Sequence, residues 1–172
     1  SALELVSQIK EKAEKEDTTT QQINHLMFTA KYTLILEEDA KLKVVNELKI
    51  AIAKSDTPVS NVLESYLANL YWQYFKQNRY QFYNRTETEQ KVDSLDFRTW
   101  DLTTLFKEVG AHFEKSLQES TVLKASKIVD FETILDYAPE SDSYRPTLFD
   151  LLSHTALEFY ISSESSINKP LD

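Results

Sequence analysis

A single glycine, Gly110, serves a chain of 172 residues. Tight β-hairpin turns and bulges need backbone at positive φ, which glycine adopts without steric cost, so a chain this poor in glycine has little means of building a hairpin-rich sheet. The four prolines, Pro58, Pro139, Pro146 and Pro170, fall at the edges of apolar-periodic segments or in the C-terminal tail. Between them the apolar residues recur at i, i+3 and i+4, the spacing of one helix face. The expectation is an all-α chain of about six or seven helices.

The periodic segments can be named. Leu3, Val6, Ile9 and Ala13 make the first stripe, and Ile23, Leu26, Met27, Ala30 and Leu34 the second. Between them lies "DTTTQQ", in which Thr18 and Gln21 have capping-box spacing. Leu42, Val45, Leu48 and Ile52 mark a third helix, and Val62, Leu63, Tyr66, Leu67, Leu70 and Tyr74 a fourth that starts at Pro58. The pattern lapses over 79–99, which reads as an irregular insert. It resumes at 101–118, with Asp101 as N-cap and Leu102, Leu105, Phe106, Val109, Phe113 and Leu117 as the stripe. Gly110 interrupts that helix at a cost of about 1 kcal/mol relative to alanine, which a closely packed neighbouring backbone would explain. A short helix is expected at 130–137, stopped by Pro139. The last helix, 146–161, has Pro146 in its first turn, Thr147 and Asp150 at capping-box spacing, and Leu148, Leu151, Leu152, Ala156 and Phe159 facing inward.

The first four stripes repeat. A displacement of about 40 residues lays Leu3, Val6 and Ile9 on Leu42, Val45 and Leu48, and Ile23, Met27 and Ala30 on Leu63, Leu67 and Leu70, the period of helix-pair repeats. Residues 2–37 and 41–78 are thus expected to be two copies of one antiparallel hairpin, stacked as a short right-handed solenoid of the tetratricopeptide or HEAT kind. One helical-repeat domain over 1–163 is expected, with 164–172 as a tail or linker. The chain opens "SALELVSQIKEKAEK" with no methionine, as a helix already under way, and so reads as cut from a longer protein.

Composition excludes several functions. The net charge of −9 disfavours nucleic acid and anionic membrane surfaces, both of which need a basic footprint. With no cysteine there is no disulfide, no thiolate metal site and no cysteine nucleophile. No apolar run is long enough to span a bilayer, and no signal peptide is visible. One glycine cannot build a nucleophile elbow or a phosphate-cradling loop. Of the histidines, His154 sits one turn before Glu158, a surface helix pair with no third ligand in sight. No cofactor, metal site or catalytic residue is expected. An enzyme of unknown class is the remote third reading, which turnover lost on mutating a His–Glu pair would revive. Asn84-Arg85-Thr86 matches a glycosylation sequon, a triplet common by chance.

The strongest local anomaly is "LYWQYFKQNRYQFYNR", Leu70 to Arg85. Phased as a helix, Leu70 to Phe75 is apolar nearly all round, the pattern of a helix buried between neighbours. Buried Tyr and Trp need polar partners, for which Arg79, Arg85 and Arg98 are candidates. Asn78 to Arg85 leaves the helix and folds its rings back as a cover. The functional alternative is an aromatic groove for a peptide or glycan. The candidate partner contacts are Trp72, Arg79, Tyr80, Phe82 and Arg85, with Tyr80, Phe82 and Arg85 ahead of Tyr71 and Tyr74.

Three segments, "LANLYWQYFKQNRYQFYNRTET", "DFRTWDLTTLFKEVGAHFEKSLQ" and "FETILDYAPESDSYRPTLFDLLSHTALEFYI", together with the opening "SALELVSQIKEKAEKED", resemble the helical N-terminal region of large bacterial alpha-2-macroglobulin-like proteins over nearly the whole chain. The resemblance implies a periplasmic or cell-envelope protein, often lipid-anchored, that traps or inhibits proteases. Its β-sandwich domains would follow this region. The thioester of many members needs a cysteine that this chain lacks, so inhibition would belong to the parent and no inhibitory residue carries over. On this reading the chain is a non-catalytic scaffold or interaction module. Its partners are downstream domains of the same polypeptide, and other envelope proteins or proteases through the parent. The alternative is a stand-alone helix-repeat adaptor that binds a peptide or protein through the aromatic groove.

Overall fold

The computed structural model of the chain describes residues 38–84, 93–131 and 144–162. Among them are six α-helices and no strand: α1 (Glu38–Lys54), α2 (Val59–Gln77), α3 (Arg79–Tyr83), α4 (Leu102–Ser116), α5 (Ser120–Ala125) and α6 (Leu148–Ile161). Two short 3₁₀ turns, Phe97–Thr99 and Ile128–Phe131, complete the order. The all-α expectation holds. The first hairpin, 2–37, the later part of the helix expected at 130–137, and the tail at 164–172 lie outside the described residues.

Helix α2 is the axis of the fold. It packs against α1, α3, α4 and α6, and its longest seam is with α4. That position follows from its sequence. Val62, Leu63, Leu67, Ala68, Leu70, Tyr71, Trp72, Tyr74 and Phe75 are all buried, and together they cover nearly the full circumference of the helix. Helices α1, α4 and α6 are amphipathic by contrast, each turning one face inward: Val44, Val45 and Leu48 from α1, Leu105, Phe106, Val109 and Phe113 from α4, and Leu148, Leu152, Ala156 and Phe159 from α6.

Local chemistry sets the ends of these helices. The Asp101 carboxylate accepts from the Thr104 amide at 2.7 Å, capping α4 as its sequence predicts. Thr147 and Asp150 form a complete capping box at the start of α6. Pro146 lies just before α6 rather than in its first turn. Its carbonyl accepts from the Ile128 amide at 3.2 Å, and the Leu148 amide donates to the Ser126 carbonyl at 2.9 Å, so a single antiparallel bridge joins the end of α5 to the start of α6. Helix α2 ends because the Asn78 side-chain amide donates to the Tyr74 carbonyl at 2.9 Å, offering the backbone a non-helical partner.

Two expectations need correcting. The stretch 79–99 is not irregular throughout, because α3 forms directly after the break at Asn78, nucleated by the Gln81 amide donating to the Asn78 carbonyl at 3.0 Å. A helix of five residues is too short to show a period. The glycine is also not where a close neighbour demands it. A Cβ on Gly110 would meet only the Tyr160 hydroxyl, at an ordinary 3.5 Å. The one described residue with left-handed backbone is Glu119, φ 53, which reverses the chain between α4 and α5.

Candidate functional site

Leu70 to Phe75 is built into the interior, where its rings pack on Phe97 and Trp100, on α4 and on α6. Tyr71 packs on Phe97 and Trp100, with centroids 5.2 and 5.6 Å away. Trp72 meets Phe159 of α6 edge-on at 5.5 Å. Tyr74 meets Phe97 at 4.9 Å, and Phe75 meets Phe106 of α4 at 4.7 Å. Such tilted and edge-to-face pairs favour a defined arrangement beyond the area they bury. The indole of Trp100 donates to the Asp93 carbonyl at 2.6 Å. Arg98, a candidate partner for these rings, is instead engaged by the Asp96 carboxylate at 2.7 and 2.8 Å.

The five candidate contact residues separate. Phe82 folds back from α3 onto Tyr74 and Phe75 and is 2% exposed, so it belongs to the core. Trp72 is buried as well, with the Lys76 ammonium 3.8 Å from its ring centroid. Burial and the nearby Arg79 push the Lys76 amine below its ordinary range, while Glu158 opposes them. Arg79 lies 5.7 Å from the Phe75 ring with its residue exposed, and Tyr80 stands out at 87% exposure beside the exposed Tyr83. Arg85 lies outside the described residues. Of the five, Arg79 and Tyr80 share one exposed corner, where α2 gives way to α3.

Sequence reasoning passed over a second constellation. In the seam of α2 and α4, Nδ1 of the buried His112 meets the buried Glu64 carboxylate, and Nε2 lies 3.8 Å from Glu108, one turn earlier on α4. The Tyr71 ring lies 5.8 Å from the imidazole, and its buried hydroxyl has no hydrogen-bond partner among the described residues. Burial, then Glu108 and Glu64, push that hydroxyl well above the usual tyrosine range. Asn61 closes the seam from the other end. Its side-chain amide donates to the carbonyls of Lys115, Ser116 and Gln118 at 3.3, 3.2 and 3.0 Å, holding the C-terminus of α4. Glu64 and His112 stand 48 residues apart, so no local spacing signals the pair.

The two ring nitrogens of His112 face separate carboxylates and do not converge with them on one point. Among the described residues no three His, Asp or Glu side chains are placed to hold a metal ion. His154 and Glu158 form the helix pair that their spacing predicts, 3.2 Å apart, with His154 half-buried and Glu158 exposed, and Arg145 contacts the other ring nitrogen at 2.8 Å. No described helix is long and apolar enough to cross a membrane. Comparison with protein-family models, curated proteins and solved structures gave no match.

Proposed function

We propose that the chain is a non-catalytic helical module of an alpha-2-macroglobulin-like envelope protein, a scaffold that holds downstream parts of its polypeptide or other envelope proteins. The division of the aromatic stretch carries this reading. Five of its seven rings, Tyr71, Trp72, Tyr74, Phe75 and Phe82, are buried in the core, and Arg79, Tyr80 and Tyr83 are left at a single corner as a contact surface. The segments that carry the resemblance also build the fold: Tyr71 to Tyr74 supplies the central rings, Arg98 to Leu102 the buried Trp100 and the Asp101 cap, and Arg145 to Asp150 the capping box. The α1/α2 hairpin is read as one unit of a short right-handed solenoid that begins with 2–37. The peptide-groove alternative loses Trp72 and Phe82 to the interior and keeps only the exposed corner.

The test compares protease trapping by the full-length protein with and without residues 1–172. Equal trapping rejects a direct inhibitory role and leaves anchoring or assembly. Lost trapping with intact downstream domains rejects the scaffold reading.

A further inference from the structure

We propose that the outer face of α4 is a two-fold interface for a second copy of this chain. Thr103, Lys107, Gly110, Ala111 and Glu114 share that face. Lys107 and Glu114 are exposed, and neither is in an ion pair among the described residues. They flank the Gly110–Ala111 step symmetrically, three positions to either side. Two antiparallel copies of α4 crossing at that step therefore place each Lys107 against the other copy's Glu114, twice over. A closed two-fold interface requires this self-complementarity.

Two further observations bear on the same face. Gly110 is the chain's one glycine, yet its φ is ordinary and nothing within the described residues crowds it. The Tyr160 hydroxyl stands 3.5 Å from where a Cβ on Gly110 would lie, and beside it the small Gly110 and Ala111 keep the helix surface low between Lys107 and Glu114. Beside it, the last turns of α6 leave Leu157 53% and Ile161 73% exposed. The Tyr160 hydroxyl, 3.4 Å from the Gly110 carbonyl, sets that turn of α6 next to the crossing point. Leu157 and Ile161 thus add apolar area beside the charged pairs.

Sedimentation velocity of the 172-residue chain across a concentration series tests this. A dimer is expected. Lys107→Glu and Glu114→Lys should each weaken it by at least about tenfold, because each sets like charges together twice. An equimolar mixture of the two variants should regain the dimer, since every contact in the mixed pair is again between opposite charges. A chain that stays monomeric to about 1 mM overturns the proposal, as does a mixture no stronger than either variant alone. Circular dichroism checks that both variants keep their helices. As a second arm, Leu157→Gln with Ile161→Gln should also weaken the dimer, and an unchanged dimer there overturns the choice of face.

Discussion

His112 joins α4 to α2 through Glu64, and the imidazole and carboxylate are both withdrawn from water. Two polar groups in a seam of rings are tolerable only as partners, because either one alone is a desolvated polar or charged group with nothing to answer it. Replacing His112 by alanine should cost about 3–5 kcal/mol. The double variant Glu64→Met, His112→Leu should cost far less than the two single changes added together. Urea denaturation of the four proteins gives the comparison, and additive losses would show that the pair is not coupled.

Tyr71 points an unanswered hydroxyl into the same seam. Removing it as Tyr71→Phe should leave stability at neutral pH unchanged or raise it by about 1 kcal/mol, the order of the desolvation penalty that is relieved. The pH dependence has a definite sign. The folded state holds the Tyr71 proton above the ordinary value of 10.0, so above pH 10 the unfolded chain binds fewer protons than the native one. The stability this group contributes is complete below pH 10 and is lost as pH rises from there through the folded value. Tyr66 and Tyr160, also raised mainly by burial, act in the same sense. The phenylalanine variant should therefore lose stability less steeply above pH 10, as measured by denaturation midpoints across the alkaline range.

The glycine and the left-handed residue are at different positions. In dilute solution Gly110→Ala should stabilise the monomer by about 0.5–1 kcal/mol, since the added methyl meets only the Tyr160 hydroxyl at contact distance. Glu119→Gly should stabilise it by about 1 kcal/mol by relieving left-handed strain. Thermal melts suffice for both, and a destabilising Gly110→Ala would reveal crowding at that helix face.

Asn61 holds three carbonyls with a single amide group. Asn61→Asp should cost more than Asn61→Ala, because a carboxylate in that place turns acceptors toward acceptors. The alanine variant should lose about 1–3 kcal/mol. Hydrogen exchange should quicken in the last turn of α4 first.

Trp72 and Tyr80 lie in one aromatic stretch but in opposite surroundings. Trp72→Ala should cost about 3–5 kcal/mol, whereas Tyr80→Ala should stay within about 0.5 kcal/mol of the parent. Equal effects from the two would contradict the burial described for them.

The parts of the fold legible in sequence are those written in helical period over several turns. The stripe from Leu105 to Phe113, the Asp101 cap and the Thr147–Asp150 box were all readable. So was the interior character of Leu70 to Phe75, because rings on all sides of one helix leave no polar face for water. Helices α3 and α5 were not readable, each being too short to show a period. The candidate contacts were only half legible. Phe82 and Tyr80 are two positions apart on a single short helix, and only the fold determines which of them turns inward. The Glu64–His112 pair had no local signal at all, because tertiary packing alone brings those two positions together.

The place of α2 as common neighbour to α1, α3, α4 and α6 has a consequence for how the molecule comes apart. Architectures built as a row of units can fray from one end while the rest stands. Here the unit that would have to remain standing includes α2, on which every other long helix among the described residues leans. Amides in α2 should therefore exchange only when the whole domain opens, and their protection measures global stability directly. A break in the chain inside 59–77 removes the strut itself, and no subset of the other described helices inherits a core.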